Sequence, residues 1–180
     1  MRYIERRFEV MRLARIAVIL AFSVIAAACN RDSSDQYRAE TKAKMEGLES
    51  RLEDIKPGLG EIMGVIQQHH AKLYFSGMSE NWELADYQLG EIQEGLENAA
   101  KFYPKFKEVK APISQLIPAM MKGGLDGVAA AIKGKNKAEF QKNFQALTAS
   151  CNRCHQAAEH PFIVIQVPSH TEFTNQRFTK

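Results

Sequence analysis

Apolar residues recur every three to four positions in five successive stretches, and no stretch keeps a period of two over the length of a strand. From Gln36 to Ile55 the recurring positions are Thr41, Met45, Leu48, Leu52 and Ile55. Most residues between them are charged, which predicts a solvated stalk or accessory helix rather than a partner-binding coiled coil. Pro57-Gly58 breaks it. Leu59–Gly77 carries one stripe of Leu59, Ile62, Met63, Ile66, His70 and Leu73, with Gly77 as its stop. Ser79–Tyr103 opens on a serine cap candidate, runs through Trp82, Leu84, Ala85, Tyr87, Leu89, Ile92 and Leu96, and ends before Pro104. The stretch Pro112–Lys133 passes Ile113, Leu116, Ile117, Met120, Leu125, Val128 and Ile132, and Pro118 and Gly123-Gly124 should loosen it. The last begins at Asn136, an N-cap with Glu139 three residues on, and runs through Phe140, Phe144, Leu147, Cys151, Cys154 and Ala158 to Pro161.

Short connections between helices of similar length favour antiparallel neighbours, so the expected fold class is all-α: an up-down-up-down four-helix bundle with an extra N-terminal helix. The segment after His160 differs. Pro161-Phe-Ile-Val-Ile-Gln-Val-Pro168 is too short for a helix and too small for a sheet of its own. It should lie extended across the bundle and bury Phe162, Ile163 and Ile165, with Phe173 and Phe178 as further anchors.

The chain has 180 residues, 45% apolar and 25% charged, within the range of foldable sequences, and one compact domain is expected. Its 24 Lys and Arg exceed its 21 Asp and Glu, but the excess is local. Residues 1–28 hold five arginines and two glutamates; taking those away leaves 19 basic and 19 acidic residues in the rest. A protein that binds nucleic acid by neutralising phosphates needs a basic patch, and no such run survives, so a nucleic-acid partner is set aside. The same front segment has a basic region, a short apolar core over residues 16–25, and Ala26-Ala27-Ala28 before Cys29. This is the order of a secretory signal, and Met11 offers a more compact start. The apolar core is shorter than a bilayer span and a polar run follows it. Cys29 after three alanines resembles the lipobox of bacterial lipoproteins, whose cysteine takes a diacylglycerol. Cleavage after Ala28 by an ordinary signal peptidase fits the same residues, and a retained anchor is the third possibility. The protein is expected in the periplasm, tethered to a membrane through Cys29 or soluble there.

The chemistry lies in Cys151-Asn152-Arg153-Cys154-His155. C-x-x-C-H is the sequence to which haem is attached covalently in c-type cytochromes. Two thiols three positions apart share a helix face and can add to the two vinyl groups, while His155 offers an imidazole to the iron. The two cysteines continue the stripe of Phe140, Phe144 and Leu147, so an attached ring would be fed into the core. With this composition the pattern arises by chance on the order of once in a thousand such chains. A zinc site would need two further ligands and finds no second cysteine pair, and a thioredoxin-like C-x-x-C belongs in a βαβ setting.

An exported four-helix chain with this motif on its last helix resembles the class II c-type cytochromes, that is, the cytochrome c-prime group and its low-spin Met/His relatives. The resemblance runs from about Leu59 to Ala158, and C-x-x-C-H is its specific part. The stalk before Leu59 and the tail after His160 depart from it. His70-Ala-Lys-Leu-Tyr-Phe-Ser-Gly with Asn81-Trp82, together with Cys-Asn-x-Cys-His-Gln and Phe-Ile-Val-Ile, is also similar to a group of bacterial single-haem proteins. The residues divide the chain into a signal peptide over 1–28, a linker and accessory helix over 29–58, a four-helix bundle over 59–160 and an extended tail packed on it over 161–180; the resemblance makes the bundle the haem-binding part. It implies one covalent haem c, held by Cys151 and Cys154 with His155 as proximal iron ligand.

The sixth iron position should be filled from the first bundle helix. Met63 and His70 share its core stripe but stand seven residues, about 10 Å, apart, so one iron cannot take both. Met63 sits near the helix start, level with the end of an antiparallel last helix; His70 is chemically the stronger ligand and the alternative, and an open site is a third. Trp82 and Tyr87 are expected as core aromatics. The function expected is electron transfer between redox partner proteins, without enzyme activity, as a monomer or a homodimer. A five-coordinate haem binding NO or CO is the competing class, and a small peroxidase would have only His70 as distal acid or base. No Ser/His/Asp arrangement, G-x-G-x-x-G or P-loop is present.

Overall fold

The computed structural model describes residues 35–106 and 109–180, which fall in two compact units, 1–56 and 57–180. The signal segment, its cleavage zone and Cys29 lie outside the described residues. Among those described, the chain is all-helical, with five helices and no strand. No described helix is long and apolar enough to cross a membrane.

In the first unit, α1 covers 35–55 and is exposed on every side. Its seam of Met45, Leu48, Leu52 and Ile55 faces solvent, and i,i+4 pairs such as Lys44–Glu40 at 2.7 Å run along it.

The second unit holds α2 (Leu59–Met78), α3 (Trp82–Phe102), α4 (Ile113–Lys133) and α5 (Lys137–Ala157). Packing is most extensive between α2 and α3 and between α4 and α5, less between α3 and α4, and least between α2 and α5, so the four helices close a ring around one core. Leu73, Val128, Phe140, Phe144 and Leu147 are fully buried in it.

Three helices stop by the same device. Glu80, Lys135 and Glu159 each take the left-handed conformation, with φ of 58°, 50° and 61°. The next residue's N–H then reaches the carbonyl five positions back: Asn81 to Ser76 at 2.9 Å, Asn136 to Ala131 at 3.1 Å and His160 to His155 at 2.8 Å. At the first two corners the same asparagine caps the following helix, Asn81 Oδ1 accepting from Leu84 N and Asn136 Oδ1 from Glu139 N. The Asn136 cap is as the sequence predicts. Ser79 is not the cap of α3: it belongs to the end of α2.

Gly77 does not end α2 either. It lies buried inside the last turn, where a Cβ would overlap the ring of Phe140, so tertiary packing rather than helix termination requires glycine there. Gly124 plays the same part on α4, against Cα of Leu147 at 2.9 Å. The helix α4 runs unbroken through Pro118 and Gly123-Gly124, whose loosening effect is not seen; Pro118 is exposed and only the first turn precedes it.

The tail has no regular structure but is tied down. Phe178 is buried and packs on Phe75 of α2 at 5.7 Å between ring centroids, Lys72 of α2 lies over the Phe173 ring at 4.9 Å, and Ile165 is half-buried. Phe162 and Ile163 correct the expectation: both are exposed, Phe162 by 77%. The turn at His160–Ile163 sends their side chains outward while the backbone, not the apolar groups, makes the attachment.

Candidate functional site

The last two turns of α5 carry the motif. Cys151 and Cys154, at i and i+3, lie on one face, half-buried against the core, and neither is in a disulfide. Burial pushes the Cys151 thiol up to about 11, with the Cys154 sulfur beside it adding to the shift, and burial raises Cys154 as well. Both are therefore neutral thiols at pH 7, far from the thiolate state that marks a redox or nucleophilic cysteine. Arg153 points away, its guanidinium donating to Ser150 Oγ at 2.8 Å.

His155 is half-buried, and its Nδ1 lies 2.9 Å from the carbonyl oxygen of Ile163 in the tail. A carbonyl only accepts, so Nδ1 carries the proton and, in the neutral ring, Nε2 keeps its lone pair. Asn152, the first residue between the cysteines, makes two bonds to the same tail segment: Nδ2 donates to Ile165 O at 2.9 Å and Oδ1 accepts from Ile165 N at 2.8 Å. Sequence reasoning did not foresee Asn152 or the tail carbonyl. The asparagine was visible within the motif, but nothing in a sequence marks which backbone carbonyl a ring nitrogen will meet.

His70 and Met63 take different surroundings on α2. His70 is 4% exposed, its ring 4.5 Å from that of Phe144, and its Nε2 lies 2.9 Å from Thr148 Oγ on α5. The Thr148 hydroxyl donates to Phe144 O at 2.9 Å, so its oxygen accepts from His70 Nε2–H. Burial holds the His70 pKa down to about 4, a neutral ring. Met63 is half-buried, packed against the core and, seven residues earlier, one helical repeat nearer the start of α2.

Neighbouring His69 turns to α3, where Nδ1 is 2.7 Å from Gln88 Oε1 and Nε2 is 3.6 Å from a Glu91 oxygen. Tyr87, expected in the core, is 58% exposed; its hydroxyl bonds Glu91, which raises its pKa. Two residues from Ala85 and from Leu89, both buried, it falls about 200° around the helix from them, on the opposite flank of α3. Trp82 is buried as expected, edge-on to Phe140 at 6.0 Å.

A groove of about 590 Å³ runs between α2 and the tail, with Gly64, Gln67, His70 and Ala71 on one side and residues 164–170, Glu172 and Phe173 on the other. Neither cysteine nor His155 lines it. A Cβ on Gly64 would meet nothing within 4 Å, so this part of α2 has open space beside it. Among the described residues no three His, Cys, Asp or Glu side chains converge on a point. Comparison of the chain with protein-family models, with curated proteins and with solved structures finds no match.

Proposed function

We propose that the protein is a single-haem c-type cytochrome that carries electrons outside the cytoplasm, with haem c bound covalently through Cys151 and Cys154 and its iron held by His155. The observation that carries this reading is the donor set on one face of α5: two unpaired neutral thiols at i and i+3 beside an imidazole whose Nδ1 is already committed to a carbonyl. Such a set suits haem. Addition of each S–H across a vinyl double bond forms a C–S bond and needs no oxidant, and the porphyrin brings four nitrogen donors of its own, so no further cluster of ligating side chains is required. When bound, the haem supplies the one-electron couple. The chain's part is to hold it against an apolar core, exclude water and fix the direction of the imidazole.

The bundle is read as up-down-up-down. Support comes from pairs of contacts: Gly77 meets Phe140 and His70, seven residues earlier on α2, meets Thr148, eight residues later on α5. Gly124 meets Leu147 and Gly127, three residues later on α4, meets Asn143, four residues earlier on α5. Continuing the first series by seven residues, about 10.5 Å, brings Met63 level with His155. Met63 is therefore the proposed sixth ligand, and His70, whose Nε2 is bonded to Thr148 one repeat away, a structural histidine. A Met/His pair favours the ferrous state relative to bis-imidazole, which suits a carrier between redox proteins. Periplasmic placement and a lipid on Cys29 complete the proposal.

The test is expression with a cytochrome c maturation system. Denatured protein should keep its red colour, and its mass should show one haem and, for the lipoprotein, a diacylglycerol on a chain beginning at Cys29. The reduced spectrum should be low spin. A colourless product with both thiols intact overturns the reading, and a high-spin spectrum that takes CO moves it to gas binding.

A further inference from the structure

We propose that Asn152 and tail residues 163–165 form a strap that sets the tautomer and aim of His155, making Asn152 a positioning residue for the iron ligand; this rests on the haem reading above. Three bonds converge within four residues of α5. The left-handed Glu159 ends the helix, His160 N closes on His155 O at 2.8 Å, and Ile163 N closes on His160 O at 3.1 Å, so the chain doubles back over the motif. That path puts the Ile163 carbonyl on His155 Nδ1, and two residues later the Asn152 amide grips both polar groups of the Ile165 backbone.

A carboxamide bonded to the N–H and C=O of one residue is a closed, two-point lock. It fixes the rotation of the local backbone as well as its distance. With Ile165 held in this way, the Ile163 carbonyl has little freedom to swing off the imidazole. The side chains of this segment do not explain its course, because Phe162, Ile163 and Val164 are exposed. Farther on, Phe173 and Phe178 attach the tail to Lys72 and Phe75 of α2, so the tail as a whole bridges α2 and α5, the least packed pair of neighbours in the ring.

The chemical consequence follows from the carbonyl. With Nδ1 donating, Nε2 is the nitrogen left to bind metal, and the hydrogen bond makes the imidazole a stronger electron donor, which stabilises the ferric state. The same hydrogen bond also resists rotation of the imidazole about its side-chain torsions.

The experiment compares the wild type with Asn152→Leu, which keeps bulk and removes both bonds, and Asn152→Asp, which keeps an acceptor for Ile165 N–H but sets a carboxylate against Ile165 O. Each is examined with haem attached and, expressed without maturation machinery, as haem-free protein. Covalent attachment should persist in all three, since neither cysteine is changed. The reduction equilibrium of Asn152→Leu should shift at least threefold toward ferrous, about 28 mV at one electron. In the haem-free proteins, ring nitrogen shifts should show Nδ1–H at His155 in the wild type and a mixture of tautomers in Asn152→Leu, with faster amide exchange at Ile165; Asn152→Asp should fall between. An unchanged potential and unchanged tautomer in Asn152→Leu, with Ile165 exchanging faster, overturn the strap. A wild-type ring without Nδ1–H overturns it as well. If the wild type takes no haem, the cytochrome reading fails by itself, and the ring nitrogens still decide the strap.

Discussion

Acidification from pH 6.5 to 5 should cost the fold about 2 kcal/mol through His70 alone. The ring is buried against Phe144, its Nε2 donates to a threonine hydroxyl, and no carboxylate is bonded to it, so burial dominates and holds its pKa at about 4 instead of 6.5. In the unfolded chain the imidazole returns to the ordinary value. Above pH 6.5 both states are neutral and stability does not depend on this group. Between 6.5 and 4 the unfolded state binds a proton that the folded state refuses, so stability falls by about 1.4 kcal/mol per pH unit, reaching about 3 kcal/mol below pH 4. The assay is urea unfolding of the wild type and His70→Leu at pH 7, 6 and 5. The substitution loses one hydrogen bond while Thr148 keeps its bond to Phe144 O, so at pH 7 it should cost about 1 kcal/mol. At pH 5 the order should reverse, with the variant about 1 kcal/mol more stable. Carboxylates common to both proteins cancel in the difference. Parallel pH profiles for the two proteins between pH 7 and 5 would refute the assignment of a buried neutral imidazole.

Met63→Ala should convert a low-spin spectrum to high spin and admit CO, whereas His70→Leu should leave the spectrum unchanged; the opposite pair of results makes histidine the sixth ligand and displaces the α2–α5 register by one repeat. Gly77→Ala should lower stability by about 2 kcal/mol in thermal unfolding, because its Cβ would overlap three atoms of the Phe140 ring. Gly90→Ala, exposed on α3 with nothing within 4 Å of the new Cβ, should instead raise stability by about 1 kcal/mol, so equal effects of the two would deny that Phe140 closes on α2.

The helices were legible because their apolar residues keep a helical period and their breaks carry Pro57-Gly58, Asn136 and Pro161. What the period did not carry was the meaning of small residues. Gly77 sits where a helix stop is plausible, and only the arrival of Phe140 from α5, sixty-three residues later, makes it an interior contact. Ser79 and Asn81 are both good caps by composition; the left-handed turn at Glu80 decides between them, and glutamate gives no hint of that conformation. Tyr87 fits the apolar stripe by residue type, but its hydroxyl finds Glu91 at the surface. In the candidate site, the spacing of Cys151, Cys154 and His155 was readable because a single helix displays them. The partner of His155 was not, since it is a backbone atom delivered by a chain reversal. The exposed Phe162 and Ile163 show the same failure from the other side: in a segment held by its amides and carbonyls, hydrophobicity does not predict burial.

Burial changes along α5 in a way that bears on how stability and chemistry share this bundle. Phe140, Phe144 and Leu147 are fully enclosed, while Cys151, Cys154 and His155, farther along the same helix, are half-buried. On α2 Ile62 and Ile66 are buried throughout, but the neighbouring positions run the other way, from half-buried Met63 and the open flank of Gly64 to buried His70, Leu73 and Gly77. On the antiparallel reading these gradients coincide, so one end of the α2–α5 seam is sealed by aromatic packing and the other is loosely packed. Large-to-small changes at Phe140 or Phe144 would each cost about 3–5 kcal/mol, which places much of the stability of the unit at the end away from the motif. A bulky planar group joined to the two thiols would therefore add contacts at the end that lacks them, without displacing the rings that hold the helices together. The tail crosses the seam from that looser end, where three hydrogen bonds rather than an apolar plug hold it and the space beside Gly64 stays open, to the sealed end, where Phe178 packs on Phe75.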